Sequence, residues 1–290
     1  MIYAVRHRSS YTYAEAVDLS YHILHLIPRS LPHQRVLEAG LATTPTAAPT
    51  SGTDYFGNHT SFLSVTVPHE RFVVESTARV EVAPRRPPDP AAMPPWEAVR
   101  DAVSSDRLRD AIEAAEFIHA SPLVPLIAEA AAYAMPSFAP GRPFLDALHD
   151  LTRRIHRDFT YDPSATAVTT PLADVLERHR GVCQDFAHLQ VAALRSMGLP
   201  ARYVSGYIRT YGSGTGQRLV GADGSHAWVS AWCPGFGWID VDPTNDLLVG
   251  DEHIVLAWGR DYDDVSPIRG VIRGGGAHLP EVAVEVTPAG

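Results

Sequence analysis

Three short stretches of this chain hold residue types that could do chemistry together. Arg180-Gly181-Val182-Cys183-Gln184-Asp185 opens a segment with Phe186, Leu189, Ala193, Leu194 and Met197 apolar at helical spacing. Ser225-His226-Ala227-Trp228 starts a segment that reads as a strand, and Trp238-Ile239-Asp240-Val241-Asp242-Pro243-Thr244 ends the next one. The order is Cys, then His, then Asp. A thiol is a weak nucleophile until ionised, and the N–H groups and dipole of a helix N-terminus favour the thiolate by ~0.3–1 kcal/mol. A nearby imidazole takes the proton, and a carboxylate behind it fixes the tautomer. Neutral Gly181 leaves the turn before the helix open. His226 and Asp242 on adjacent antiparallel strands would lie side by side. Asp240 shares the Asp242 face by period-two alternation, and periodicity does not choose between them.

These groups need elements to hold them. A helix over Cys183–Met197 stops at Gly198, with Pro200 blocking continuation. Phe144–His156 and Leu172–His179 read as helices before it, and Ala201–Ile208, His226–Cys233 and Gly237–Val241 as strands after it. A glycine-rich hairpin loop, Gly212–Gly224, separates the first two strands and reads as a rim of the cleft. Further upstream, Ser105–Ile118 and Leu123–Tyr133 are alanine-rich helical stretches. The first 83 residues are β in character, with strands expected over Ile2–Arg8, Leu19–Ile27, Phe62–Val67 and Phe72–Val82. Turn signals between them suggest a small β-sandwich-like domain. Val282–Val286 reads as a last strand. Prolines crowd residues 84–95. The expected organisation is therefore a β domain over 1–83, a proline-rich linker over 84–100 and a catalytic α+β core over 101–290.

Composition removes several function classes. The chain has 290 residues, a formal charge of −9 and 45% hydrophobic residues, which suits folded domains with ample core. The acidic balance argues against nucleic acid or an anionic membrane as partner. No apolar run reaches the ~18 residues of a membrane span, and charge arrives within the first six residues, so no targeting signal is read. The expected compartment is cytoplasmic. Its two cysteines, Cys183 and Cys233, cannot build a disulfide framework and should stay reduced there. Nothing in the spacing calls for a cofactor or metal.

In combination these motifs resemble the transglutaminase-like superfamily in its bacterial branch. Arg180–Asp185, Gly198-Leu199-Pro200-Ala201-Arg202, His226-Ala227-Trp228 and Gly237-Trp238 through Asp242-Pro243-Thr244 stand in the family's order. The first part is similar to the β domain that precedes this core in bacterial members, through Tyr3, His7, Tyr11-Thr12-Tyr13, Leu26-Ile27-Pro28-Arg29 and Asp54-Tyr55-Phe56-Gly57-Asn58. The resemblance implies a papain-like core, with a cysteine-bearing helix packed on an antiparallel sheet. It implies Cys183 as nucleophile, His226 as base and Asp242, not Asp240, as the orienting carboxylate. The chemistry implied is acyl transfer through a thioester, from a peptide or protein substrate with glutamine-type amides to water or an amine. One departure is Ser230, where the family often has an acidic residue four positions after the histidine.

Other readings compete with this one. The fold could serve as a catalytically silent peptide-binding scaffold, or as an arylamine-acetyltransferase-like acyl transferase. A zinc site from Cys183, His179 and His188 lacks a second thiolate or a paired histidine motif. Cys233 reads as packing. Trp228, with Trp232 and Trp238, could line a substrate groove or pack a sheet face. Tyr161 is a candidate for substrate contact and for a second oxyanion donor beside the backbone N–H of Cys183.

Overall fold

The computed structural model describes residues 1–105, 109–210, 219–222 and 224–289. Most of the expected loop Gly212–Gly224, and residues 106–108 of the expected helix Ser105–Ile118, lie outside them.

The chain begins with one long strand, β1 (Ile2–Leu24), where the sequence suggested two. Alternation of buried and exposed residues runs along most of it, so the middle segment around Tyr11 and Tyr13 continues the strand. Then come β2 (Gln34–Thr44), β3 (Thr50–Thr53), β4 (His59–Val65) and β5 (His69–Val82). They form an antiparallel sheet in the order β2-β5-β1-β4-β3. A register shift between Thr12 and Val17 splits β1: the first half pairs with β5, and residues 20–24 pair with β4. Such irregularities sharpen strand twist and curl the sheet. The sheet buries Tyr13, Val17, Leu24, Leu63, Phe72 and Val74 in a core of its own.

The proline-rich segment leads to α1 (Trp96–Ser105), α2 (Arg109–Ala115), α3 (Ala128–Ala134) and α4 (Phe144–Asp158). The α1 helix was not foreseen: its apolar residues Trp96, Val99 and Val103 are spaced every three to four positions, directly after Pro95. Next follow β6 (Thr160–Tyr161), α5 (Leu172–Arg178), β7 (Arg180–Gly181) and α6 (Cys183–Ser196). The α6 helix ends at Gly198, whose φ of +76° needs a residue without a side chain. Every residue from Gln184 to Arg195 is buried, so α6 is a central helix.

The second sheet collects β8 (Ala201–Ile208), β9 (His226–Cys233), β10 (Gly237–Asp242), β11 (Leu247–Leu248) and β12 (His253–Gly259), in the order β11-β10-β9-β8-β12. β8 and β9 are buried along their whole length, being covered on both faces. Ala227, Val229, Ala231, Ile239 and Val241 pack with Ala187, Val191 and Leu194 of α6 in the main core. The small alanines let helix and sheet approach closely.

After α7 (Tyr262–Val265) the chain returns to the first sheet. β13 (Ile268–Gly274) pairs with residues 17–24 of β1, and β14 (His278–Pro288) with residues 3–13. The reading of 101–290 as one core did not anticipate this crossing. The expected strand Val282–Val286 exists, but its partner is β1.

The two sheets are joined by polar side chains acting as strand edges. β12 lies at the edge of the second sheet. The Gln34 amide donates to the Val255 carbonyl at 2.8 Å, and its Oε1 accepts from the Val255 N–H at 2.8 Å. The Asn58 amide grips Trp258 the same way, donating to its carbonyl at 2.8 Å and accepting from its N–H at 2.9 Å. Each carboxamide supplies the donor and acceptor that a neighbouring strand would supply. This is why Asp54–Asn58 and Leu26–Arg29 matter to the fold: Asp54 accepts from Asn58, and Arg29 donates to Asn58 and stacks 3.5 Å over the Trp258 ring.

Candidate active site

Cys183 begins α6, preceded by Val182 in extended conformation. The carboxylate of Asp185 folds back over this turn. Its Oδ2 accepts from the Val182 N–H at 2.8 Å and from the Thr166 hydroxyl at 2.6 Å. That return explains the glycine before the cysteine: a Cβ on Gly181 would sit 2.7 Å from Asp185 Oδ2. Gln184 donates to the Val168 carbonyl at 3.2 Å, so Gln184 and Asp185 together tie the helix start to the 162–170 loop. Burial raises the Asp185 pKa, opposed by those two hydrogen bonds.

Across from the helix start stands the rim of the second sheet. His226, the first residue of β9, is 1% exposed, and Asp242, the last of β10, is fully buried. His226 Nε2–H donates to Asp242 Oδ2 at 2.8 Å. Its Nδ1 has no hydrogen-bond partner of ordinary geometry among the described residues, and a Cβ on Gly221 would meet it at 2.7 Å. Gly221, at φ +90°, thus lets the chain pass against the ring. Burial alone would lower the His226 pKa, but Asp242 and then the Cys183 thiol outweigh it and raise it to about 10. The imidazolium form is therefore favoured, which is what an ion pair with a thiolate needs.

Asp242 is held by its own turn. Oδ1 accepts from the Thr244 N–H at 2.9 Å and the Asn245 N–H at 3.2 Å, and Oδ2 accepts from the Asn245 amide at 2.8 Å. This is the hydrogen-bonding habit of an Asp at a turn, and Pro243 fits because it has no N–H to place. The carboxyl is kept ionised: burial opposes this, and His226 first, then His253, overcome it. His253, the first residue of β12, brings its Nε2 to 3.2 Å from Asp242 Oδ2.

The sequence did not single out His253 or Asn245. Asn245 was findable, since Asp-Pro-Thr-Asn is a turn that closes on the aspartate. His253 was not: it opens a plain apolar run whose strand pairs with β8, more than forty residues earlier in the chain. Tyr203 of β8 was also missed. It is buried, and burial first, then the Cys183 charge, pushes its phenol pKa well up.

The remaining expected residues fall as follows. Asp240, one pair of residues back along the same face, is taken by Arg85 at 2.7 Å. Tyr161 lies on β6, whose parallel partner β7 ends at Gly181, and packs edge-on to Phe186 at 6.4 Å. Trp228 does not line a groove. It is fully buried, 5.2 Å from His253 and 6.3 Å from His226. It fits because Gly206 on β8 has no side chain: a Cβ there would lie 2.4 Å from the indole. Its role is to wall the histidines in. Cys233 is buried beside Met93, its thiol pushed up to about 12 by burial, so it stays protonated and inert. The Cys183, His179 and His188 zinc reading fails on geometry: His179 stacks on Phe159 at 4.7 Å, and His188 accepts from the Tyr262 N–H at 3.1 Å. His226, Asp242 and His253 do place donor atoms within 4.8 Å of one another. Both imidazoles lie at hydrogen-bond distance from one carboxylate oxygen, the arrangement of two N–H donors sharing an acceptor.

The site thus sets a thiol at a helix start facing a histidine–aspartate pair on a sheet rim, and comparison with known proteins gives the family. Residues 133–243 match the transglutaminase-like superfamily core, and residues 3–81 match the bacterial transglutaminase-like N-terminal region. An uncharacterized protein of Mycobacterium tuberculosis is 41% identical over 99% of this chain and 92% of its own length. One from Mycobacterium leprae is 32% identical over 98% of this chain and 97% of its own length. The chain belongs to the transglutaminase-like superfamily. A protein-glutamine gamma-glutamyltransferase of Pseudomonas aeruginosa is 36% identical over 97 residues, which is 32% of this chain and 14% of that one. The crystal structure of a candidate cysteine protease from Cytophaga hutchinsonii shares the fold, with a TM-score of 0.78 over 99% of this chain and 90% of that one, at 22% identity. Among the described residues no helix is long and apolar enough to cross a membrane.

Proposed function

We propose that this protein is a thiol-dependent acyl-transfer enzyme acting on peptide or glutamine-type amide bonds. Cys183 is the nucleophile, His226 the general base and acid, and Asp242 the carboxylate that orients His226. The observation that carries this reading is the division of labour on the His226 ring: Nε2 is committed to Asp242, which leaves Nδ1 for the thiol. The Cys183 thiolate attacks the amide carbon, the carbonyl oxygen becomes an oxyanion, and His226 Nδ1–H protonates the departing nitrogen. Water or an amine then attacks the thioester, with His226 taking its proton and Cys183 leaving as thiolate. The Cys183 backbone N–H, at the unsatisfied start of α6, is the first oxyanion donor, and Tyr161 is a candidate for substrate contact. The free thiols suit a reducing, cytoplasmic setting.

The test is incubation with a glutamine-containing peptide library and a labelled primary amine, read by mass shifts. Cleavage, deamidation and amine incorporation give three different masses. Cys183→Ala should abolish all of them and remove labelling by iodoacetamide at mildly acidic pH, while Cys233→Ala keeps both. Equal labelling of the two cysteines with ordinary thiol pH dependence would rule out an activated nucleophile.

A further inference from the structure

We propose that His253 is a positioning residue for this reaction: its Nε2–H donates to Asp242 Oδ2 and holds that carboxylate against His226. The proposal rests on the acyl-transfer reading of Cys183, His226 and Asp242.

The geometry sets the protonation state. An ionised carboxylate offers only lone pairs, so the His253 nitrogen 3.2 Å from Asp242 Oδ2 must carry the hydrogen. Nδ1 of His253 is buried with no partner among the described residues, so a proton there would be stranded. His253 is therefore the neutral Nε2–H tautomer, and burial supports the same form by lowering its pKa, against the pull of Asp242. Two imidazoles then point at one oxygen, with ring centres 6.1 Å apart. One belongs to the reaction. The other has no route to the thiol except through Asp242.

This second donor has two physical effects. The first is on basicity. Oδ2 accepts from His226, His253 and Asn245, so its lone pairs are spent and the proton gained in the reaction stays on His226. The second is mechanical. The three other hydrogen bonds to Asp242 come from its own turn, at Thr244 and Asn245. His253 arrives from β12, the opposite edge of the sheet. That strand is itself held from outside by the Gln34 amide, two residues along at Val255. The carboxylate is thus braced between two strands, and the brace runs back to the first sheet. The edge-on contact with Trp228, at 81° between planes, locks the His253 ring in the orientation that aims Nε2 at Asp242.

The test uses two substitutions with opposite virtues. His253→Phe keeps the ring shape against Trp228 and removes the donor. His253→Gln loses the ring and keeps an N–H at the position of Nε2. The readout is the rate of Cys183 carboxamidomethylation by iodoacetamide at pH 6. His253→Gln should stay close to the unaltered protein, and His253→Phe should fall roughly tenfold, as expected for one hydrogen bond to a charged group. A packing role predicts the reverse order. The proposal is overturned if His253→Phe labels as fast as the unaltered protein, or if His253→Gln falls as far as His253→Phe. Should either variant not fold, imidazole ¹⁵N shifts of the unaltered protein decide: the Nε2–H tautomer at His253 supports the proposal, and the Nδ1–H tautomer overturns it. If Cys183 of the unaltered protein labels as an ordinary thiol, the acyl-transfer reading fails, and the ¹⁵N shifts still report whether His253 holds Asp242.

Discussion

Asp240 and Asp242 stand two residues apart on one strand, on the same face, and they have been put to opposite uses. Asp240 faces arginines. Arg85 bonds it at 2.7 Å, and Arg202 lies within reach of two indoles, 4.1 Å from Trp238 and 3.8 Å from Trp258. Asp242 faces imidazoles, His226 at 2.8 Å and His253 at 3.2 Å. Both carboxyls are kept ionised against the cost of burial, the first by Arg85, then the Ser230 hydroxyl and Arg202, the second by His226 and then His253. The difference lies in the partners. A guanidinium does not give up its proton near neutral pH, even Arg202, which burial pulls down to about 9. An imidazole does. The same buried carboxylate is a rivet in one setting and, in the proposed reaction, the anchor behind a proton-carrying imidazole in the other.

Exchanging each carboxylate for its amide should separate the two. Asp242→Asn offers His226 an amide that can donate as well as accept, which favours the wrong tautomer. Turnover should fall ~10²–10⁴-fold with little change in KM. Asp240→Asn should leave turnover unchanged and cost ~3–5 kcal/mol of stability, because two largely buried arginines lose their counter-charge. Thermal melting and steady-state kinetics on the two variants check this, and equal losses of activity would erase the distinction.

A smaller effect is expected at the clamps on β12. Asn58→Ala should cost ~1–3 kcal/mol, since it leaves the Trp258 N–H and carbonyl unpaired. Gln34→Ala should behave likewise at Val255, and because β12 carries His253, Gln34→Ala should also lower the Cys183 labelling rate. Denaturant midpoints and alkylation rates measure both.

A further effect concerns acid and builds up gradually with pH. Burial lowers the pKa of His7 and His22, each to about 4. His7 Nδ1 accepts from the Tyr207 hydroxyl at 2.9 Å and its Nε2–H donates to Ser9 at 2.8 Å, so it is a neutral link between the two sheets. In the unfolded chain these imidazoles take up protons below pH ~6.5, while the folded chain resists until about 4. Stability should therefore decline as pH falls from 6.5 towards 4, by at most ~1.4 kcal/mol per pH unit for each histidine. His226 works the other way, being raised to about 10. Its contribution is full below pH ~6.5 and is lost as pH rises through 10. Melting temperatures across that range, with His7→Gln as control, check the signs.

How much of this was legible depended on whether the cause was local. The α6 helix could be read because its start, apolar stripe and glycine stop are contiguous, and Gly198 has the positive φ that a stop requires. The strands carrying His226 and Asp242 are neighbours in sequence and in the sheet, so their pairing was readable too. What escaped reading depends on distant pairing. β12 lies beside β8, not beside its sequence neighbour β11, so nothing near His253 shows that it reaches Asp242. Trp228 could be read either as lining a groove or as packing a sheet face, and alternation along β9 did not choose. Its burial follows from Gly206 on another strand and could not be read from β9 alone. Val282–Val286 likewise alternates as a strand should, but β13 was not read from the sequence, and no local signal says that β1 is the partner of either.

The pairing of β1 with β14 has a consequence for how the protein is made. Tyr3 sits opposite Pro288, and the Ala289 N–H donates to the Ile2 carbonyl at 2.8 Å. On the ribosome the first strand emerges with one flank bare, and it stays so until residues 278–288 have been synthesised. The α6 helix and the strands β9 and β10 leave the tunnel before then. Closure of the first sheet is thus a late event in biogenesis, and a chain that stalls early would present a long, sticky strand edge to chaperones before it could present a finished cleft to a substrate.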